Sequence, residues 1–281
     1  MQLPLVGRQS ELAQLKQAFY RGGLSFLEGE MGSGKTRLVQ ELYQTLIPKP
    51  TLLLAPSREM ENALSLSPII HCLRKHVSED IWGKINKVWA NQLCLLLPEL
   101  TAIHPDCDPS NISNIPSSRQ HLFDSIHHVL SLVAEQSEGI LFFLDDAQWA
   151  DHHTLQALSY LYSQGFFNEH GLLVIAARPE EPNRELNEML DRFHRNHTVQ
   201  MIMLNGLSPY ELGILAGELM DETPSNSFID KLYQETNGNP FVAIEILRDI
   251  LDMPKELEGL ENGRRLPLPE SVHALIRKRL N

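Results

Sequence analysis

An α/β fold, built on a parallel five-stranded sheet and followed by a small all-helical domain, is what this sequence predicts. Three observations predict it. Short apolar, β-rich runs alternate with helical patterns over the first two thirds of the chain. Their near-continuous hydrophobicity is that of strands buried on both faces. A glycine-rich turn then joins the first run to the helix after it.

Taken in order, Ser10–Tyr20 reads as a helix, Leu24–Glu28 as the first strand and Lys35–Leu46 as the helix beyond the glycine-rich turn. Thr51–Ala55, Ile140–Leu144, Leu172–Ala176 and Val199–Leu204 are the other strands. Between them Leu64–His76, Ser117–Gln136 and His152–Ser163 read as helices, and Pro98–Ser118, with four prolines, as a long loop. The composition changes near Asn205, after which no strand run occurs. Ser208-Pro209-Tyr210-Glu211 is a capping box with proline at the first helical position, opening a helix to about Met220. A second helix covers Asn226–Glu235, and a third follows Pro240. The expected organisation is an α/β core over 1–205, a helical domain over 206–255, and a linker leading into a further helix over 256–281. That last helix is still running at Asn281, as expected of a piece of a longer polypeptide.

Charge and cysteine usage narrow the function classes. Lys plus Arg number 24 against 36 for Asp plus Glu, so a net charge of −12 has the wrong sign for a general phosphate-backbone binder. DNA binding by this segment is not expected. Cys72, Cys94 and Cys107 are odd in number and lack Cys-x-x-Cys spacing, which opposes a disulfide framework or zinc site and fits a reducing compartment. The start lacks a signal-peptide pattern, and apolar runs such as Leu172–Ala177 are too short to span a bilayer. A cytoplasmic, membrane-free protein is expected.

The sharpest motif is Gly29-Glu30-Met31-Gly32-Ser33-Gly34-Lys35-Thr36, which fits G-x-x-x-x-G-K-[ST] at every fixed position and lies between a strand and a helix. Its glycines let the backbone curl so that successive N–H groups face phosphate oxygens, and the helix N-terminus adds positive potential. Gly29, Gly32, Ser33, Gly34, Lys35, Thr36 and Arg37 are therefore candidate nucleotide contacts. Lys35 is expected to neutralise the β and γ phosphates, and Thr36 to ligate magnesium. The run Ile140–Leu144 ends in Asp145-Asp146; Asp145 is the expected second magnesium anchor, and Asp146 the group that orients or deprotonates an attacking water. Arg178 follows the next strand, at the same carboxyl edge, where it can sense the γ phosphate.

With these residues in place, the chain resembles the STAND class of AAA+-like P-loop ATPases, the nucleotide switch of large LuxR-type transcriptional regulators and related bacterial signalling proteins. Val6-Gly7-Arg8-Gln9-Ser10-Glu11-Leu12 resembles the family's V-G-R-x-x-E-L segment, which implies that Gly7 and Arg8 lie over adenine and ribose. Leu144-Asp145-Asp146-Ala147-Gln148-Trp149-Ala150-Asp151 is similar to its L-D-D-x-x-W-A-D run. Asn237-Gly238-Asn239-Pro240-Phe241 resembles its G-N-P-F turn, which implies that Pro240 packs against the base from a helical lid. The segment Leu268–Leu280 resembles the approach to the family's winged-helix domain. The resemblance implies bound ATP or ADP with Mg2+, sensor and effector domains or partner proteins at the C-terminal side, and a nucleotide-dependent oligomer. Ala176-Ala177 stand where many members carry threonine or tyrosine, and no arginine finger is assignable, so hydrolysis is expected to be slow. A DNA-handling AAA+ ATPase of the replication-initiator or helicase-loader kind is the alternative.

Other chemistries are poorly served. The 12 histidines include no His-Glu-x-x-His, and the adjacent pairs His127-His128 and His152-His153 face different sides of a helix. No Gly-x-Ser-x-Gly elbow occurs.

Overall fold

The computed structural model describes residues 4–61, 64–107, 117–195 and 199–252. The order is α1 (Gln9–Arg21), β1 (Gly23–Glu28), α2 (Lys35–Thr45), β2 (Thr51–Pro56), α3 (Ser67–His76), α4 (Glu79–Lys84), α5 (Lys87–Leu93), α6 (Ser117–Glu135) and β3 (Ile140–Asp145). It continues with α7 (His152–Ser163), α8 (Phe166–His170), β4 (Gly171–Ala177), α9 (Arg184–His194), β5 (Val199–Met203), α10 (Pro209–Met220), α11 (Asn226–Thr236) and α12 (Pro240–Asp252). The expected linker and helix over 256–281, with the Leu268–Leu280 segment, lie outside the described residues.

The five strands form one parallel sheet in the order β2-β3-β4-β1-β5. In register, Glu28 pairs with Ala177, Leu144 with Ile175, and Pro56 with Asp145, so β1, β2, β3 and β4 end along one edge. Successive strand residues point to opposite faces. Leu24, Phe26, Ile140, Phe142, Leu144, Leu173 and Ile175 join a core with residues of α3, α5, α6 and α7. The alternate residues Leu27, Leu141, Phe143, Leu172, Val174 and Ala176 are buried as well. Each such Leu, Ile or Phe stabilises the fold by about 1.5–3 kcal/mol through removal from water, which explains strands without polar alternation.

The chain divides into two compact units. One comprises Ala13–Glu28 and Val39–Ile202. The other comprises the described residues within Met1–Leu12, Gly29–Leu38 and Met203–Asn281. The second has its own core, in which Leu212, Leu215 and Ala216 of α10 meet Ile229 and Leu232 of α11 and Ile246, Leu247 and Ile250 of α12. The Ser208–Glu211 capping box is formed in full, with Pro209 in the first turn.

Several elements depart from the sequence expectation. Two short helices, α4 and α5, occupy 79–93, and the expected loop begins with a 3-10 turn over Pro98–Ala102 that buries Leu100. Helix α3 begins at Ser67 rather than Leu64, because Leu66 is left-handed (φ 60°) and its N–H donates to Asp151 Oδ1 at 3.0 Å. Pro68, in the first turn of α3, is the local mark of that start. Helices α8 and α9 fill segments read as connections. The three cysteines are free and buried; burial pushes the Cys72 thiol up. Among the described residues no helix is long and apolar enough to cross a membrane.

Candidate functional site

The glycine-rich turn begins at the residue after β1 and ends in the first turn of α2. Its tightness has a local cause: Ser33 N–H donates to Glu30 O at 3.1 Å, and Lys35 Nζ donates to Gly29 O at 2.7 Å and to Glu30 O at 3.0 Å. The Lys35 ammonium is buried over the loop's own carbonyls. Ser33 Oγ is buried with no hydrogen-bond partner among the described residues, a donor left for a ligand oxygen. N–H groups of the first turn of a helix point outward along its axis, so the start of α2 suits an anion. Thr36 is exposed there and Arg37 half-buried. These features fit a phosphate.

The Asn237–Phe241 turn is built against this loop. Asn239 is buried, and its Oδ1 accepts from Phe241 N (3.1 Å) and Val242 N (3.3 Å), capping α12. Its Nδ2 donates to Met31 O at 2.8 Å, and Phe241 N also approaches Gly32 O at 3.3 Å. One amide therefore caps a helix and fastens the glycine-rich turn to it. Gly32 has to be glycine: its φ is +80°, and a Cβ there would stand 2.7 Å from Phe241 Cβ and 2.8 Å from Asn239 Oδ1. Pro240 opens α12 and is half-buried.

Arg8 is buried and serves the same loop from the N-terminal side. Its Nη2 donates to Asn205 O at 2.5 Å and to Ser33 O at 3.3 Å, while Nη1 reaches Glu11 at 3.4 Å. Gly7 lies beside the Glu211 carboxylate of the capping box. Thus Gly7, Arg8, the Gly29–Thr36 turn and Pro240, distant in sequence, belong to one compact unit. Asn239 and Asn205 join them; the reading of the sequence assigned a role to neither.

The carboxyl edge of the sheet carries the second group of expected residues. Asp145, the last residue of β3, accepts from Asp146 N at 3.0 Å. Asp146 is left-handed (φ 50°) and starts a 3-10 turn over Ala147–Trp149. Its Oδ1 accepts from Arg178 Nε (3.1 Å) and Nη2 (2.9 Å) and from Gln148 Nε2 (3.2 Å). Arg178 Nη1 also pairs with Glu181 at 3.3 Å. Asp146 and Arg178, expected to act separately on water and phosphate, are thus each other's partners here. Gln148 and Glu181 complete the cluster and were not singled out from the sequence.

The last acid of the L-D-D-x-x-W-A-D run has a structural task. Asp151 is buried, its Oδ1 accepts from His153 N, Thr154 N and Leu66 N, each at 3.0 Å, and its Oδ2 accepts from Thr154 Oγ1 at 2.6 Å. It caps α7 and fixes the approach to α3 at once.

Comparison with known proteins agrees with this architecture. The chain matches the model of the AAA ATPase domain over residues 4–175, more than half its length. No curated protein matches it. Among solved structures it is similar to the Walker-type ATPase of Pyrococcus abyssi (TM-score 0.58, 13% identity, covering 98% of this chain and 76% of that one). It is also similar to the ORC2 protein of Aeropyrum pernix, solved in ADPNP and ADP complexes (TM-score 0.55, 16% identity, 97% and 67%). Cdc6p of Pyrobaculum aerophilum is comparable (TM-score 0.52, 16% identity, 94% and 65%). At such identities the likeness is one of fold.

Proposed function

Because this chain belongs to the AAA ATPase domain family, we propose that it is a regulatory nucleotide switch, binding ATP or ADP with Mg2+ and hydrolysing ATP slowly. The observation that carries this reading is the bridge from Asn239 Nδ2 to Met31 O, which couples the start of α12 to the phosphate-binding turn. A change in that turn alters the capping of a helix, and a switch needs such a differential contact between its states.

In this reading Gly29, Gly32, Ser33, Gly34, Lys35, Thr36 and Arg37 bind the phosphates, while Gly7, Arg8 and Pro240 frame the adenine. Arg8 does so indirectly, holding the turn through Ser33 O and the chain ahead of α10 through Asn205 O. Lys35 leaves the loop carbonyls to meet phosphate oxygens, and Ser33 Oγ gains a partner. Magnesium, held by Thr36 and Asp145, would supply charge neutralisation at the β and γ oxygens. Asp146 takes the proton of the attacking water, and Arg178 reports the γ phosphate. Output passes to C-terminal sensor and effector domains or partner proteins, with a nucleotide-dependent oligomer as one route. The proposed setting is cytoplasmic.

The test is to denature the purified protein and identify any released nucleotide by chromatography, alongside Lys35→Ala. Stoichiometric ADP or ATP from the wild type and none from Lys35→Ala is expected; equal nucleotide affinity in the two proteins refutes the site. DNA-stimulated turnover would instead favour the DNA-handling alternative, which the net charge of −12 opposes.

A further inference from the structure

Gln148 lies at the centre of the Asp146–Arg178 cluster. We propose that it is a positioning residue for hydrolysis, fixing Asp146 so that its Oδ2 is the oxygen that accepts from an attacking water. The inference rests on the ATPase reading above and deepens it.

Three donors load one oxygen of the acid. Arg178 Nε, Arg178 Nη2 and Gln148 Nε2 all converge on Asp146 Oδ1, and Oδ2 has no hydrogen-bond partner among the described residues. A carboxylate has about four acceptor sites, so loading one oxygen leaves the other as the base. The Asp146 side chain is 35% exposed, enough for water to reach it.

Only an amide does what Gln148 does. Its Nε2 donates to Asp146 Oδ1 and to Glu181 Oε2 (3.3 Å), while its Oε1 accepts from Arg178 N (3.3 Å). The same side chain therefore fixes the acid and the main chain of its basic partner. It is itself held, being 5% exposed, with its backbone carbonyl accepting from Asn183 Nδ2 at 3.1 Å. Methionine would keep the volume and lose both functions. A carboxylate would keep the acceptor, lose the donor and stand as a third acid beside Asp146 and Glu181.

The experiment compares wild type, Gln148→Met and Gln148→Glu by single-turnover ATP hydrolysis from pH 6 to 8 and by equilibrium ADP binding. Gln148→Met should lose about 10–100-fold in rate at every pH, as misplaced catalytic groups do, with ADP affinity within about twofold of wild type. Gln148→Glu should be impaired at pH 8 and recover towards pH 6, because the protonated carboxyl again offers a donor to Asp146. The groups facing that carboxyl are Asp146, Glu181 and Arg178. In ligand-free protein, the denaturation midpoints of Gln148→Met, Asp146→Asn and their double variant should be non-additive, since the two residues share a bond. A wild-type rate in Gln148→Met, a pH-independent deficit in Gln148→Glu, or additive midpoints would each overturn the proposal. Loss of ADP affinity in step with rate would reduce Gln148 to a purely structural role. A wild-type protein that binds no nucleotide refutes the ATPase reading itself, and the inference with it.

Discussion

Asn239 gives the most direct test of how the glycine-rich turn is held. Asn239→Ala removes the cap of α12, a loss of about 1 kcal/mol. It also removes the donor to Met31 O, a buried bond contributing about 1 kcal/mol. The sum is about 2 kcal/mol of stability. Asn239→Ser separates the two effects: serine caps a helix about as well as asparagine, but its short side chain does not span to Met31 O, so only about 1 kcal/mol is expected to go. Because both variants lose the bridge, both should weaken ADP binding by a similar factor, about fivefold if the whole 1 kcal/mol is felt by the loop. Urea denaturation reads the stabilities and equilibrium titration the affinities. Wild-type ADP affinity in Asn239→Ser, with weakened binding only in Asn239→Ala, would refute the idea that the bridge shapes the turn.

Two further outcomes follow from the carboxyl edge of the sheet. Asp146→Asn should keep ATP affinity and slow single-turnover hydrolysis, and wild-type turnover in that variant would remove Asp146 from the chemistry. Asp151→Ala should lower stability by about 2–4 kcal/mol in urea denaturation, because it strips three main-chain N–H groups and the Thr154 hydroxyl of a buried acceptor; a midpoint unchanged from wild type would contradict its assignment as a clamp.

What the sequence discloses and what it hides divides along physical lines. The inner strands β1, β3 and β4 were legible because burial on both faces writes itself as an uninterrupted apolar run, as in Ile140–Leu144, whereas the edge strands β2 and β5 are only partly buried. The Ser208–Glu211 box was legible because capping is a local hydrogen-bond pattern with a fixed spacing. Helix α9 carries readable marks, an Asn183 cap and Leu186, Met189, Leu190 and Phe193 on one face. The start of α3 carries a local mark in Pro68, at its first turn, while the left-handed Leu66 ahead of it is held by an acid 85 residues away.

The same division runs through the candidate site and says where its mechanism should be sought. Lys35, Asp146 and Arg178 stand out as candidates in the sequence because phosphate chemistry restricts residue type and spacing. Motif reading, however, treats each as an independent agent, whereas Arg178 donates twice to Asp146 and once to Glu181. In the proposed mechanism the Nε and Nη2 contacts load Asp146 Oδ1 and leave Oδ2 for water, so an Arg178 that reports the γ phosphate does so by releasing Nη1 from Glu181. Glu181→Gln removes the charge that holds Nη1 and keeps an amide oxygen to accept from Gln148 Nε2. It should therefore leave single-turnover hydrolysis at or above the wild-type rate, with ADP affinity unchanged. A markedly slower rate at unchanged ADP affinity would show that Glu181 positions the pair rather than restraining Arg178.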